Sequence, residues 1–212
     1  MEQLRKRHNQ IKRDLLNQWV KPESYVLDCG CGRGGDWHKW KALGARVVAI
    51  DPDPDSLVEA EDRASRIGLG VWFLGQGDIR QAAFAGPFDV VCYNFSIQYI
   101  VESWDMSIKA IKCAVKPGGY LIGITPEKSL IESAHSPDVF GNQFEIHGDR
   151  VLMKLTDGPF YADGPKYEPL LDGGQLRQAL EPEFQCVLWG PVCHEQTGLV
   201  TDIYAQFVFL RL

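Results

Sequence analysis

The sequence predicts an α/β protein built on a mostly parallel sheet with helices on both faces. Three observations carry this reading. Short apolar runs alternate with helical segments from residue 24 onward, a glycine-rich turn follows the first of those runs, and two long apolar runs close the chain. Strands spaced by helices in this way are joined by crossovers, and a crossover makes neighbouring strands parallel.

Taken in order, residues 2–19 place Leu4, Ile11, Leu15 and Trp19 on one helical face with Leu16 at its flank, and Lys21-Pro22 stops that helix. Strands follow at Tyr25-Val26-Leu27, Arg46–Ile50, Val71–Leu74, Phe88–Cys92 and Gly119–Ile124, with helices over 35–43, 55–67 and 103–115 between them. The last third changes character. Phe144–Leu155 alternates around Gly148-Asp149 as a hairpin does, and 158–174 is a loop rich in Gly, Pro, Tyr and Asp. Asp172 caps a helix at 175–180. The runs 184–190 and 203–210 add antiparallel strands at one sheet edge, for seven in all.

Composition bounds the function. The chain has 212 residues, 45% apolar and 24% charged, which suits one domain with a buried core. No run of eighteen apolar residues exists, so no transmembrane helix is expected, and the first twenty residues lack a signal peptide's apolar stretch. Cys29, Cys31, Cys92, Cys113, Cys186 and Cys193 show neither disulfide nor zinc spacing, which points to a reducing, intracellular compartment: nucleus, cytoplasm or viral factory. His8, His38, His135, His147 and His194 do not cluster and read as structural or exposed, and no metal site is expected. The net charge of −6 argues against a protein that tracks long nucleic acid. It is uneven, however: residues 1–20 hold five basic residues against two acidic ones, so the remaining 192 carry −9. A basic opening helix on an acidic body suits a short anionic group held at one place.

The segment Val26-Leu27-Asp28-Cys29-Gly30-Cys31-Gly32-Arg33-Gly34-Gly35 joins the first strand to a helix, and Gly30, Gly32 and Gly35 satisfy G-x-G-x-x-G. That match alone is weak. Asp28 discriminates, because a carboxylate beside the helix N-terminus repels a pyrophosphate and welcomes an amine or a sulfonium. S-adenosylmethionine carries both. Asp51, 23 residues on, ends the second strand where an acid accepts both ribose hydroxyls, and Asp78 follows the third strand where it accepts from an adenine amine. Taken one at a time, each of the three acids also suits a turn or a helix cap.

The segment VLDCGCGRGGDWHKW resembles the cofactor motif of the mRNA cap guanine-N7 methyltransferases, and the resemblance extends over nearly the whole chain. LRKRHNQIKRDLL is similar to that family's opening helix, FDVVCYNFSIQY to the segment after its fourth strand, KPGGYLIGITP to its fifth strand, and GPKYEPLLD and IYAQFVF to its late pocket pieces. The resemblance implies a Rossmann-like class I S-adenosylmethionine-dependent methyltransferase, with a basic helix at 1–20, a cofactor-binding core at 24–125, a pocket insertion at 126–174, and a helix and edge strands at 175–212. It implies cofactor contacts from Lys12, Asp28, Gly30, Gly32, Asp51, Asp78, Ile79, Asn94, Phe95, Ser96 and Tyr99. For the cap it implies Asn9, Arg33, Arg63, Phe95, Gln98, Tyr99, Glu168 and Tyr204. In these roles Glu168 reads the guanine edge, Phe95 and Tyr99 stack, Tyr204 closes the pocket, and Gln98 donates to guanine O6. Arg33 and Arg63 face the phosphates, and Lys12 reaches the cofactor's carboxylate. Three positions depart from the family: Pro169 follows Glu168 in place of an aromatic residue, Gln98 stands where His is usual, and Arg33 replaces Lys. Without the family context, Glu168 reads as an exposed loop acid, Lys12 and Arg63 as solvated, and the aromatic residues as core.

The implied reaction is methyl transfer from S-adenosylmethionine to guanine N7 of the mRNA 5′ cap. N7 carries a free lone pair and no proton, so no general base is needed and no residue is assigned to proton transfer. The implied partners are a capped RNA end and either further capping domains or a regulatory subunit. A methyltransferase acting on a small molecule or another RNA position, a non-catalytic cap-binding module and an NAD-dependent enzyme are the competing readings, and Asp28 disfavours the last.

Overall fold

The computed structural model describes residues 2–156, 161, 163–193 and 195–212. Part of the segment 158–174 and all of His194 therefore lie outside the described residues.

Strands β1 (Tyr25–Cys29), β2 (Arg46–Asp51), β3 (Val71–Gln76), β4 (Phe88–Asn94), β5 (Val115–Pro126), β9 (Phe184–Pro191) and β10 (Tyr204–Arg211) form one sheet in the order β3-β2-β1-β4-β5-β10-β9. The first five are mutually parallel, and β10 runs antiparallel between β5 and β9. Helices α1 (Glu2–Trp19), α2 (Trp37–Ala42), α3 (Pro54–Ile67), α5 (Trp104–Ala114) and α7 (Gly173–Leu180) sit where the apolar periodicity puts them. The short helices α4 (Ile79–Ala82) and α6 (Lys128–Ser133) were not foreseen, each being too brief to show a period.

Pleating splits the sheet's side chains between two cores. Val26, Val47, Ala49, Val90, Cys92, Ile122 and Ile124 face Leu15, Leu16, Trp37, Trp40, Ala60 and Ala64 of α1, α2 and α3. Leu27, Val48, Ile50, Val91 and Leu121 face Ile108 and Ile111 of α5 and Leu176 and Leu180 of α7. Adjacent residues of one strand thus serve opposite layers, as a sheet covered on both faces requires. α3 is closed at both ends: the Asp53 side chain accepts from the amides of Asp55 and Ser56, and Gly68 ends the helix in left-handed geometry.

A second, antiparallel sheet joins β6 (Gln143–His147), β7 (Arg150–Lys154) and β8 (Lys166–Pro169). The hairpin at Gly148 is as expected. β8 is a correction to the loop expected over 158–174: four residues with Pro at the end carry no visible alternation, and pairing with β7 makes them a strand. That pairing sets Glu168 opposite Val151 and buries it, where the residue alone read as exposed.

Candidate functional site

The chain runs from β1 outward through β2 to β3, then returns to β4 on the other side of β1. The crevice at the carboxyl ends of β1 and β4 is where such a sheet opens to a ligand. A cavity of about 830 Å³ lies there, walled by Gly30, Gly32, Asp51, Asp78, Ile79, Phe95, Ser96, Gln98, Tyr99, Glu168 and Tyr204 among others. Of the residues implied from sequence, these eleven come together.

The glycine turn forms one wall. Gly30 and Cys31 both donate backbone N–H to Ile50 O, at 2.8 and 3.1 Å, which draws the turn across the end of β2. Gly30 has φ +74°, and a Cβ there would fall 2.5 Å from the Ser96 Cβ. The third constrained glycine is Gly34, not Gly35 as the motif suggested: its φ is +72° and a Cβ would strike the Trp37 indole. Asp51 accepts from Gly32 N at 2.7 Å and from Asp53 N at 3.0 Å, so its carboxylate fixes both the turn and the start of α3. Asp78 caps α4 through Arg80 N and pairs with the Arg80 side chain, which holds its carboxyl below the usual range. It therefore fills the capping role the residue alone allowed and still faces the cavity. Phe95 has φ +66°, a left-handed strain that turns its ring toward Tyr204, 4.8 Å away edge-on. Ser96 Oγ donates to Cys29 O at 2.6 Å, tying the tip of β4 to that of β1.

Several implied cofactor contacts are engaged elsewhere. Lys12 Nζ lies 2.7 Å from Asp36 Oδ1, and Lys39 Nζ lies 2.6 Å from the same oxygen. Asn94 Nδ2 donates to Asp36 Oδ2 at 2.9 Å. Asp28 is buried and accepts from Trp40 Nε1 at 2.8 Å. Asp28, Lys12 and Asn94 thus belong to a polar network outside the cavity wall, because Asp36, unremarked in the sequence, draws the cations inward. Lys12 still approaches the cavity at one point, with its Nζ 5.8 Å from the centre of the Phe95 ring. Burial and the neighbouring Asp36 push the Asp28 carboxyl up to about 7. Burial alone would raise Asp36 as well, but Lys12 and Lys39 bring it down to about 2.

The implied cap contacts divide in the same way. Glu168, Gln98 and Tyr204 all line the cavity, with Tyr99 half-exposed at its wall. Gln98 Nε2 donates to Glu168 Oε2 at 2.9 Å and to Phe95 O at 3.2 Å, so its amide nitrogen is not available to a guanine O6. Tyr161 donates its hydroxyl to Glu168 Oε1. Arg33 and Arg63 lie outside the wall and share Glu59, at 3.2 and 2.6 Å. Both are exposed surface pairs on α3 or the turn before α2, of the kind that contributes little and exchanges readily. Asn9 is exposed and accepts from Lys39 Nζ at 2.9 Å.

His8, read from sequence as structural or exposed, lines the cavity. Its Nε2 is 3.0 Å from Thr201 Oγ1, and its ring packs on Phe95 and Tyr204 at 5.7 and 5.5 Å. Burial, then Lys12 and Arg7, lower its pKa to about 4, so the ring is a neutral aromatic wall at pH 7. Tyr161 and His8 carried no motif signal. His8 was one turn of helix from Lys12, and that spacing was the only available clue.

A methyltransferase-domain family model matches residues 26–119. The mRNA cap guanine-N7 methyltransferase of Cryptococcus neoformans is 30% identical over 200 residues, covering 77% of this chain and 28% of that protein. Those of Arabidopsis thaliana and Saccharomyces cerevisiae are each 29% identical over 60% of this chain, covering 40% and 33% of their own lengths. Among solved structures, the PH0226 protein of Pyrococcus horikoshii superposes with TM-score 0.73 at 18% identity, covering 100% of this chain and 92% of its own. An S-adenosylmethionine-dependent methyltransferase of Clostridium acetobutylicum does so at 0.71 and 18%, covering 97% and 91%. Sheet order, glycine turn and domain match together define the Rossmann-like class I methyltransferase fold. Within that class the sequence is similar to mRNA cap guanine-N7 methyltransferases over 60–77% of its length. It spans between 28% and 40% of the length of these three relatives.

Proposed function

We propose that this chain binds S-adenosylmethionine in the crevice at β1, β2 and β4 and transfers its methyl to guanine N7 of an mRNA 5′ cap. The observation that carries this reading is one cavity whose wall brings together two chemically distinct sets of residues. One set is the glycine turn, Asp51 and Asp78, and the other is Glu168, Gln98, Tyr161 and Tyr204.

The cofactor fits the residues present. Asp51 and Asp78 are acceptors on the wall, suited to ribose hydroxyls and an adenine amine, and Arg80, the wall's one Lys or Arg among the described residues, is paired with Asp78. A pyrophosphate would meet two carboxylates there without a free cation. When bound, S-adenosylmethionine supplies an electrophilic sulfonium methyl. The protein's part is orientation. Phe95, His8 and Tyr204 form an aromatic wall against which a purine packs, and Glu168 is the acceptor for guanine's N–H edge. Holding two reactants in line supplies about 7–11 kcal/mol of the barrier reduction, which is large enough to need no general base for a nucleophile without a proton. His8 is in line with this reading, since its pKa of about 4 makes it a weak base and its Nε2 faces Thr201.

We also place the chain in a reducing compartment, in line with its six unpaired cysteines. The test is a methylation assay with guanylylated RNA, the same RNA with a 5′ triphosphate, and free GTP. Transfer to the capped RNA, with the label on N7, is expected. Cofactor binding without transfer to any guanylylated substrate would overturn the proposal.

A further inference from the structure

Glu168 is bonded on both carboxylate oxygens by donors of its own chain, Gln98 Nε2 on Oε2 and the Tyr161 hydroxyl on Oε1. The two bonds differ in kind. Beside a carboxylate an amide must present its NH₂ group, so Gln98 is fixed in orientation, and its Oε1 is left buried with no partner among the described residues. A buried acceptor without a donor is unfavourable. The Tyr161 contact has no such compulsion, because a phenol that gives up one acceptor finds others, water included. Glu168, Gln98 and Tyr161 all wall the cavity, and Glu168 and Gln98 are almost fully buried. The Tyr161 hydroxyl occupies an acceptor site on Glu168 Oε1 for which a ligand donor entering the cavity competes.

We propose that Tyr161 is a built-in stand-in for the substrate base, its hydroxyl holding on Glu168 the place that a base N–H takes in the complex. The inference rests on the guanine reading of this cavity and adds a step to it: Tyr161 leaves as the base enters. A base edge with two neighbouring donors replaces the hydroxyl on Oε1 and supplies the donor that Gln98 Oε1 lacks. Guanine, with N1–H beside N2–H₂, has such an edge, whereas adenine offers one donor beside an acceptor. Gln98 is the positioning residue that keeps Glu168 aimed while the exchange occurs. Burial and the Glu168 charge raise the Tyr161 pKa, so the phenol stays protonated and acts as a neutral donor that another donor replaces.

The test is Tyr161→Phe, which keeps the ring and deletes the competing hydroxyl. Titration of the unmethylated cap dinucleotide GpppA should show binding roughly threefold to tenfold tighter than wild type, the worth of one hydrogen bond. S-adenosylmethionine affinity should stay within about twofold. Unchanged or weaker GpppA binding, with cofactor affinity intact, overturns the inference. Should Tyr161→Phe lose cofactor affinity through misfolding, fluorotyrosine in the otherwise wild-type chain decides instead: saturating GpppA must move the Tyr161 ¹⁹F resonance, and an unmoved resonance overturns the inference. Wild-type protein that binds S-adenosylmethionine but no GpppA removes the guanine reading itself, a failure distinct from a variant that shows no gain.

Discussion

Lys12 and Asp36 meet at 2.7 Å behind the glycine turn, with the Lys39 ammonium on the same carboxylate oxygen. The helix that opens the chain is thereby bound to the cofactor segment through a buried charge. Lys12 is 14% exposed and Lys39 6%, so neither cation has ready access to water once its partner is gone. Asp36→Ala should destabilise the fold by about 3–5 kcal/mol, since it strands buried charge. Lys12→Met should cost markedly less, because Lys39 still neutralises Asp36. Urea midpoints at constant m-value check both. Equal losses for the two variants would show that the network is not organised around Asp36.

Asp28 and His8 should tilt the stability curve in opposite directions between pH 4 and 6.5. The folded Asp28 carboxyl titrates near 7 against 3.8 for its ordinary value, so the folded state holds more protons and stability falls as pH rises through this window. The folded His8 titrates near 4 against 6.5, so the unfolded state holds more protons and stability rises with pH there. Relative to wild type, Asp28→Asn should show the steeper rise with pH and His8→Asn the steeper fall. Denaturation at several pH values reads both slopes, and slopes of the reverse sign would refute the assigned environments.

Asp51→Ala removes the acceptor for Gly32 N and Asp53 N as well as the one offered to a ribose. S-adenosylmethionine binding should weaken by about 1–3 kcal/mol, the cost of losing charge-assisted hydrogen bonds. Calorimetry measures it directly. Undiminished affinity would move the cofactor away from the tip of β2.

Glu168→Ala separates cap binding from cofactor binding. Cap binding should fall at least tenfold, as expected when a buried hydrogen-bonded carboxylate is lost, with cofactor affinity nearly unchanged. Parallel loss of both would give Glu168 a folding role through Gln98 and Tyr161.

The sheet was legible because its signals are local. Apolar runs at β1, β2 and β4 and the cap Asp172 act over a few residues, and the amphipathic stripe of α1 repeats often enough to read. What the sequence hid depends on long-range pairing. Glu168 is buried because β8 pairs with β7, and Gln98 turns its nitrogen inward because a carboxylate 70 residues away lies 2.9 Å from it. Lys12 is paired with Asp36, a residue 24 positions away, in a buried contact that its place on a helix did not announce. Residue type identifies what a side chain offers. Only the fold shows which neighbour takes it first.

The most direct measurement is a crystal structure of the chain with S-adenosylhomocysteine and GpppA bound together. The adenosine hydroxyls should lie at Asp51, the guanine edge at Glu168, and guanine N7 should turn toward the cofactor's sulfur. A guanine bound elsewhere, or one presenting a ribose hydroxyl or another ring atom to the sulfur, would contradict that arrangement.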